Sequence, residues 1–300
     1  MNELYKKQVA LLIRIMPSVY RIQNFAVHGG TAINLFHKNM PRYSVDIDIT
    51  YIPVQDRDES LKAINAYLVE LKQMIEKTIP GIRITHKPDV WKLLCVKDGA
   101  TVKIEVNGTK RGIIGATEDK SLCAKAQAEF NMGCTARIVS FTQLYGGKIS
   151  AALSRQHPRD LFDCKYMPLD LLDQAKDGLM HCLLGSDKPI LESLQPNPID
   201  QRDALQGQFD GMTDVPFSYE DYETTRKELV EKVNKFLIKE DKEFLISFEQ
   251  GEPEWDRCCA GDLSEYPSVK WKLQNIQKLK ETNPEKFEAG VEKLREYLFK

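Results

Sequence analysis

Apolar positions fall at three- and four-residue steps through residues 4–22, where Leu4, Val9, Leu11, Leu12, Ile15 and Met16 mark one side of a helix. Pro17 is expected to disturb its end, and Lys6, Lys7, Arg14 and Arg21 read as its solvated face. Phe25 to Val27 is a short apolar run that meets Gly29-Gly30, after which Thr31-Ala32-Ile33-Asn34-Leu35-Phe36 has helical spacing. Past Met40-Pro41 the period changes to two: Val45, Ile47 and Ile49 point one way, Asp46 and Asp48 the other. The spacing therefore predicts strand, glycine turn, helix, strand. Leu61, Ile64, Leu68, Leu71 and Ile75 predict a helix over 58–78 that Pro80-Gly81 stops. Strand-like runs follow at 82–86, 91–97 and 101–106, and Lys97-Asp98-Gly99-Ala100 predicts a hairpin between the last two. Residues 107–139, punctuated by Gly108, Gly112, Gly115 and Gly133, carry no clear period.

From Ser140 onward the pattern is helical. Ser140 and Gln143 have the spacing of a capping box, and the helix they open contains Gly146-Gly147. Two glycines inside a helix cost about 1 kcal/mol each against alanine, which suggests something packed close against them. Pro158 ends that helix and can begin another. Apolar segments at 169–184 and 189–194 follow. Helices are expected at 223–239, 241–248, 267–280 and from Asn283-Pro284 to the end. Residues 196–222 hold three prolines, two glycines and six acids against Arg202, and read as a linking or wrapping segment. The expected class is α+β, with an α/β domain over 1–139 and an α-helical domain over 140–300.

Composition adds exclusions. A chain of 300 residues with 42% hydrophobic and 29% charged residues can bury a large core, and its formal charge of −2 excludes a globally basic nucleic-acid binder. No apolar run approaches the roughly 20 residues of a membrane span, and the first residues lack the apolar core of a signal peptide, so a cytoplasmic location is expected. Seven cysteines without a CxxC pair read as reduced, mostly buried thiols.

The chemistry concentrates in two stretches. Side chains two apart on a strand share a face, so Asp46 and Asp48 project together, and like charges that close call for a cation, Mg²⁺ or Mn²⁺ by the hardness of oxygen donors. The Gly29-Gly30 backbone can approach a ligand closely, and a helix beginning near Thr31 aims unpaired N–H groups at an anion. Thr101 to Val106 alternates as well, with Lys103 and Glu105 on the face away from the core. Glu105 is a third carboxylate near the metal if this strand lies beside Asp46-Ile47-Asp48. Otherwise it is half of an exposed Lys–Glu pair on an edge strand. In the second half, Lys148, Arg155, Arg159, Asp160 and Asp163 form either a charge-neutralising cluster or an interhelix salt-bridge network. Lys103, Lys110, Arg111, Arg137, Lys148, Arg155 and Arg159 could form a local RNA-facing patch.

Gly29-Gly30-Thr31, then Arg42-x-Ser44-x-Asp46-Ile47-Asp48, then a strand Lys-x-Glu, resembles the minimal nucleotidyltransferase fold of the DNA polymerase β superfamily. Here Thr31 takes the place of that superfamily's more usual serine. Tyr145-Gly146-Gly147-Lys148-Ile149 and Gln156-His157-Pro158-Arg159-Asp160-Leu161-Phe162-Asp163 look like the third and fourth motifs of the AbiEii/AbiGii nucleotidyltransferase toxins. Phe209-Asp210-Gly211-Met212-Thr213, Gly251-Glu252-Pro253-Glu254-Trp255 and 266–273 are also similar to segments of those proteins. The resemblance implies a polymerase β-like mixed sheet followed by helices that complete an active-site cleft. It also implies metal-dependent transfer of a nucleotide, with GTP or CTP as donor, the tRNA 3′ end as acceptor and a cognate antitoxin encoded nearby. In its terms Asp46 and Asp48 hold metal, and Glu105 completes the metal site or helps to activate the attacking hydroxyl. Gly29, Gly30, Thr31, Arg42, Ser44, Arg155 and Arg159 bind nucleotide, while Lys148 and the fourth-motif aspartate, Asp160 in preference to Asp163, serve catalysis. Other readings are a transferase acting on a protein or small molecule (an AMPylating antitoxin or an antibiotic-modifying enzyme), a non-catalytic binding module, and a nucleotide-sugar glycosyltransferase.

Overall fold

Alternation along Asp46–Tyr51 and Ala100–Asn107 buries Ile47, Ile49, Val102, Ile104 and Val106 on one side and leaves the acidic and basic positions between them partly open. In the computed structural model, which describes residues 2–167 and 173–300, these two strands pair in parallel at the middle of a seven-stranded mixed sheet. The strands are β1 (Phe25–His28), β2 (Asp46–Tyr51), β3 (Arg83–Lys87), β4 (Lys92–Lys97), β5 (Ala100–Asn107), β6 (Glu118–Ser121) and β7 (Thr135–Ile138), in the order β3-β4-β5-β2-β1-β7-β6. The β4–β5 hairpin turns through Asp98 and Gly99, both with positive φ, as a two-residue turn of that twist requires. β5 is thus an interior strand, not an edge.

The chain divides into two compact units, Met1–Ser140 with Asp203–Phe217, and Phe141–Arg202 with Ser218–Lys300. The first holds the whole sheet and the helices α1 (Glu3–Arg21), α2 (Gly29–Thr31), α3 (Arg57–Thr78) and α4 (Ala124–Phe130). Pro17 lies inside α1 without ending it; Ser18 and Val19 beyond it are buried, and packing carries the helix on to Arg21. Residues 203–217 do not merely link. Tyr43 donates its N–H to the Met212 carbonyl, Asn2 donates to Gly211, and Thr213 donates through its hydroxyl to Pro41.

The second unit is helical: α5 (Phe141–Arg155), α6 (Pro158–Lys165), α7 (Lys176–Leu184), α8 (Ile190–Leu194), the single turn α9 (Arg202–Ala204) at its boundary, α10 (Tyr219–Phe236), α11 (Lys239–Glu249), α12 (Pro267–Thr282) and α13 (Pro284–Leu298). Residues 169–172 of the first apolar segment read from the sequence lie outside the described residues. α10 begins four residues before its apolar period because Ser218 and Asp221 form a capping box there. All seven cysteines are free. Among the described residues no helix is long and apolar enough to cross a membrane.

Candidate active site

β1 runs straight into the glycine turn, and the turn opens α2, which continues as a π-helix over Ala32–His37. Gly29 has φ +70, and a Cβ there would stand 2.6 Å from Asp48 Oδ2, so backbone conformation and close approach to the carboxylate both require glycine. Replacing Gly29 by alanine should lower unfolding free energy by about 1–3 kcal/mol, the usual range for forcing a side chain into such backbone. Urea unfolding of the variant checks this, and a midpoint equal to that of the wild type would contradict it.

Thr31 is fully buried. Its hydroxyl lies 2.5 Å from the Asp46 carbonyl and 3.1 Å from Ser44 Oγ. Asn34 donates to the Gly30 carbonyl at 2.9 Å. Arg42 and Ser44 are buried behind the turn, Arg42 donating to the Tyr43 carbonyl, and a Cβ on Gly30 would meet both side chains. The sequence suggested that the Thr31 hydroxyl, Arg42 and Ser44 touch the nucleotide. In the structure the Thr31 hydroxyl is turned to Ser44 and the Asp46 carbonyl and ties the turn to the start of β2, while Arg42 donates to the Tyr43 carbonyl.

Asp46 and Asp48 share the open face of β2, and the parallel register sets Lys103 opposite Asp46 and Glu105 opposite Asp48. Glu105 is therefore beside the pair, but its carboxylate is engaged by Lys92 at 3.0 Å and Lys103 at 3.1 Å. Burial works to raise the Glu105 pKa, and these two ammonium groups outweigh it and hold the carboxyl below its ordinary value. Burial likewise works to lower the Lys103 pKa, and Asp46, Glu105 and Asp48 together raise it. Among the described residues no three His, Cys, Asp or Glu side chains are gathered as a metal cluster. Two carboxylates on one strand still fit Mg²⁺, which binds through one or two carboxylates and fills its remaining positions with water and substrate phosphate.

In the second unit Lys148 is 5% exposed and clamped, its Nζ 2.8 Å from Asp160 Oδ1 and 2.9 Å from Asp163 Oδ2. Asp160 also receives Arg155 through Nε at 2.5 Å and Nη2 at 3.1 Å. Burial pushes the Asp160 carboxyl up, but Lys148 and Arg155 prevail and hold it well below the usual carboxylate range. Both aspartates thus grip Lys148, and Asp160 joins it to Arg155. His157 caps α6 by accepting from the Arg159 N–H at 3.1 Å, which fixes where Asp160 and Asp163 emerge. The Arg155 side chain, 63% exposed, is the cluster's outward charge.

The basic patch suggested by the sequence does not form as a set. Arg111 and Lys148 are buried, and Arg137 is folded onto the Tyr20 and Ile22 carbonyls. Sequence reasoning also passed over Asn34 and Lys92. The helical spacing of Asn34 from Gly30 and the hairpin register of Lys92 with Glu105 were the available signals.

Curated protein sequences contain no significant match to the chain. Among solved structures it is similar to MenT4, a nucleotidyltransferase toxin from Mycobacterium tuberculosis H37Rv, with a TM-score of 0.61 at 12% identity over 91% of this chain and 93% of that one. The fold is therefore shared with that toxin. The family model described as nucleotidyl transferase AbiEii toxin, type IV toxin–antitoxin system, matches residues 11–275, and the chain belongs to this family of nucleotidyltransferases.

Proposed function

We propose that the protein transfers a nucleotide from GTP or CTP to an RNA acceptor, the 3′ end of tRNA, and that a cognate antitoxin silences it in the cytoplasm. The observation that carries the metal-dependent part is the Asp46–Asp48 pair, side by side on β2 with Gly29 backbone against Asp48. The choice of donor base and of tRNA rests on the resemblance of the motifs to the toxin family.

In this reading Asp46 and Asp48 hold Mg²⁺ or Mn²⁺. The bound ion supplies Lewis-acid polarisation of the α-phosphorus and charge neutralisation on the triphosphate. Thr31 and Ser44 hold the first carboxylate's backbone in place, so that the site needs no rearrangement as charge develops. The Gly29, Gly30 and Thr31 backbone N–H groups serve the β- and γ-phosphates. Arg155, which is exposed, and Arg159 supply positive charge for the triphosphate, while Lys148 is held by Asp160 and Asp163. Asp160 keeps Lys148 and Arg155 oriented.

The test is incubation with α-labelled nucleotides, Mg²⁺ and total tRNA, with Asp48→Ala and metal-free reactions as controls. Label should enter RNA from GTP or CTP with the intact protein and from neither control. Label in a protein or small molecule would replace the acceptor assigned here. Label in no acceptor, together with no growth effect on expression, would overturn the proposal.

A further inference from the structure

The open face of the central strands carries more charge than a two-carboxylate metal site needs. Its register places Lys103 opposite Asp46, Glu105 opposite Asp48, and Lys92 opposite Glu105 on the next strand. Three carboxylates and two ammonium groups therefore occupy neighbouring positions on one side of β2, β5 and β4. The contacts are unequal. Lys103 Nζ is 3.1 Å from Glu105 Oε2 and 4.0 Å from Asp46 Oδ2, while Lys92 pairs with Glu105 alone. Lys103 is thus shared between a carboxylate assigned to metal and one that is not.

We propose that Lys103 is the resident counter-ion of the Asp46–Asp48 pair, and that Glu105 is the residue that positions it rather than a third metal ligand. This rests on the reading that Asp46 and Asp48 hold the divalent ion. Two adjacent carboxylates without a cation repel each other, and a lysine reaching across from the neighbouring strand relieves that repulsion. The ammonium sits on a flexible four-carbon stem and already makes its shorter contact with Glu105, so a cation arriving at Asp46 does not leave Lys103 unpaired. Lys92 then completes the arrangement by giving Glu105 two cationic partners. A consequence follows for specificity. A positive charge 4.0 Å from Asp46 weakens the affinity of the empty protein for a free divalent ion, and so favours loading of the ion together with the nucleotide's phosphates.

Mn²⁺ binding to the nucleotide-free protein, followed by electron paramagnetic resonance or calorimetry, reads this directly. Lys103→Met should tighten Mn²⁺ binding about five- to tenfold, the size expected for removing one screened charge at this distance. Lys103→Arg should stay near the wild type, because it keeps the charge. Adding Glu105→Gln to Lys103→Met should alter affinity less than about threefold, because the lysine it positions is already gone, whereas removing a ligand carboxylate takes a full charge from direct contact with the ion and costs about tenfold or more. Asp48→Asn is the control on the underlying assignment. If it binds Mn²⁺ as the wild type does, the metal reading itself fails and the inference falls with it. If Asp48→Asn loses binding but Lys103→Met binds no more tightly, the counter-ion role alone is overturned. A tenfold loss in the double variant would make Glu105 a ligand and overturn its positioning role.

Discussion

Lys148→Met should lower the unfolding free energy by about 3–5 kcal/mol, the range seen when one member of a buried ion pair is removed. The side chain is 5% exposed and its ammonium is the common partner of Asp160 and Asp163, which are themselves buried. Methionine fills similar volume, so the loss comes from two facing carboxylates deprived of their shared cation, with Arg155 remaining on Asp160. The pH dependence has a defined sign. In the wild type the Asp160 carboxyl is held below its ordinary value near 4, so its contribution is complete above that pH and disappears as pH falls through the folded value. In the variant Asp160 and Asp163 are buried without the Lys148 ammonium, so protonation relieves part of the defect. The difference between the two proteins is therefore widest at neutral pH and narrows as the solution is acidified. Arg155→Ala provides the scale, because its side chain is 63% exposed and should cost less than about 1 kcal/mol. Urea unfolding between pH 5 and 8 measures all three, and equal costs for Lys148→Met and Arg155→Ala would remove the buried cluster from the account of stability.

The same cluster shows what a sequence carries and what it withholds. Lysine, arginine and two aspartates at helical spacing, with Pro158 between them, are enough to bring the charges to neighbouring helix ends. Which of them closes on itself depends on burial, and spacing does not report that. The central strands were legible because β2 and β5 alternate between apolar and polar or charged residues. β6 and β7 were not, although β7 lies directly beside β1. β6 reads Glu-Asp-Lys-Ser and has no apolar side to signal a strand, and β7 is only four residues long. Their pairing is set by non-local contacts, as is the return of residues 203–217 to the first unit through Met212 and Thr213. Thr31 illustrates the same limit at the site. The motif places a hydroxyl beside the glycine turn, and the fold directs it inward to the Asp46 carbonyl.

Gly146→Ala should be more disruptive than its size suggests, with a loss of at least about 3 kcal/mol, the upper end of overpacking costs. A Cβ on Gly146 would stand 2.2 Å from the Leu179 backbone nitrogen and 2.3 Å from the Gly178 carbonyl carbon. A Cβ on Gly178 would in turn stand 2.0 Å from the Thr142 carbonyl oxygen. α5 and α7 therefore meet backbone to backbone, and the Gly178 N–H donates to Thr142 Oγ1 at 3.0 Å across the contact. No side chain can swing aside, so either helix must move, and Tyr145, Ile149, Leu179 and Met180, all buried around the crossing, move with it. Gly178→Ala should cost as much. Gly147 has nothing within 4 Å of its Cβ position, and Gly147→Ala should instead stabilise the helix by up to about 1 kcal/mol through propensity. Denaturation midpoints of the three single variants test the contrast, and a shift of Gly146→Ala in the same direction as Gly147→Ala would sink it. Two adjacent glycines in a helix thus answer to different causes: one is imposed by the neighbouring backbone, and the other can be exchanged without any change in packing.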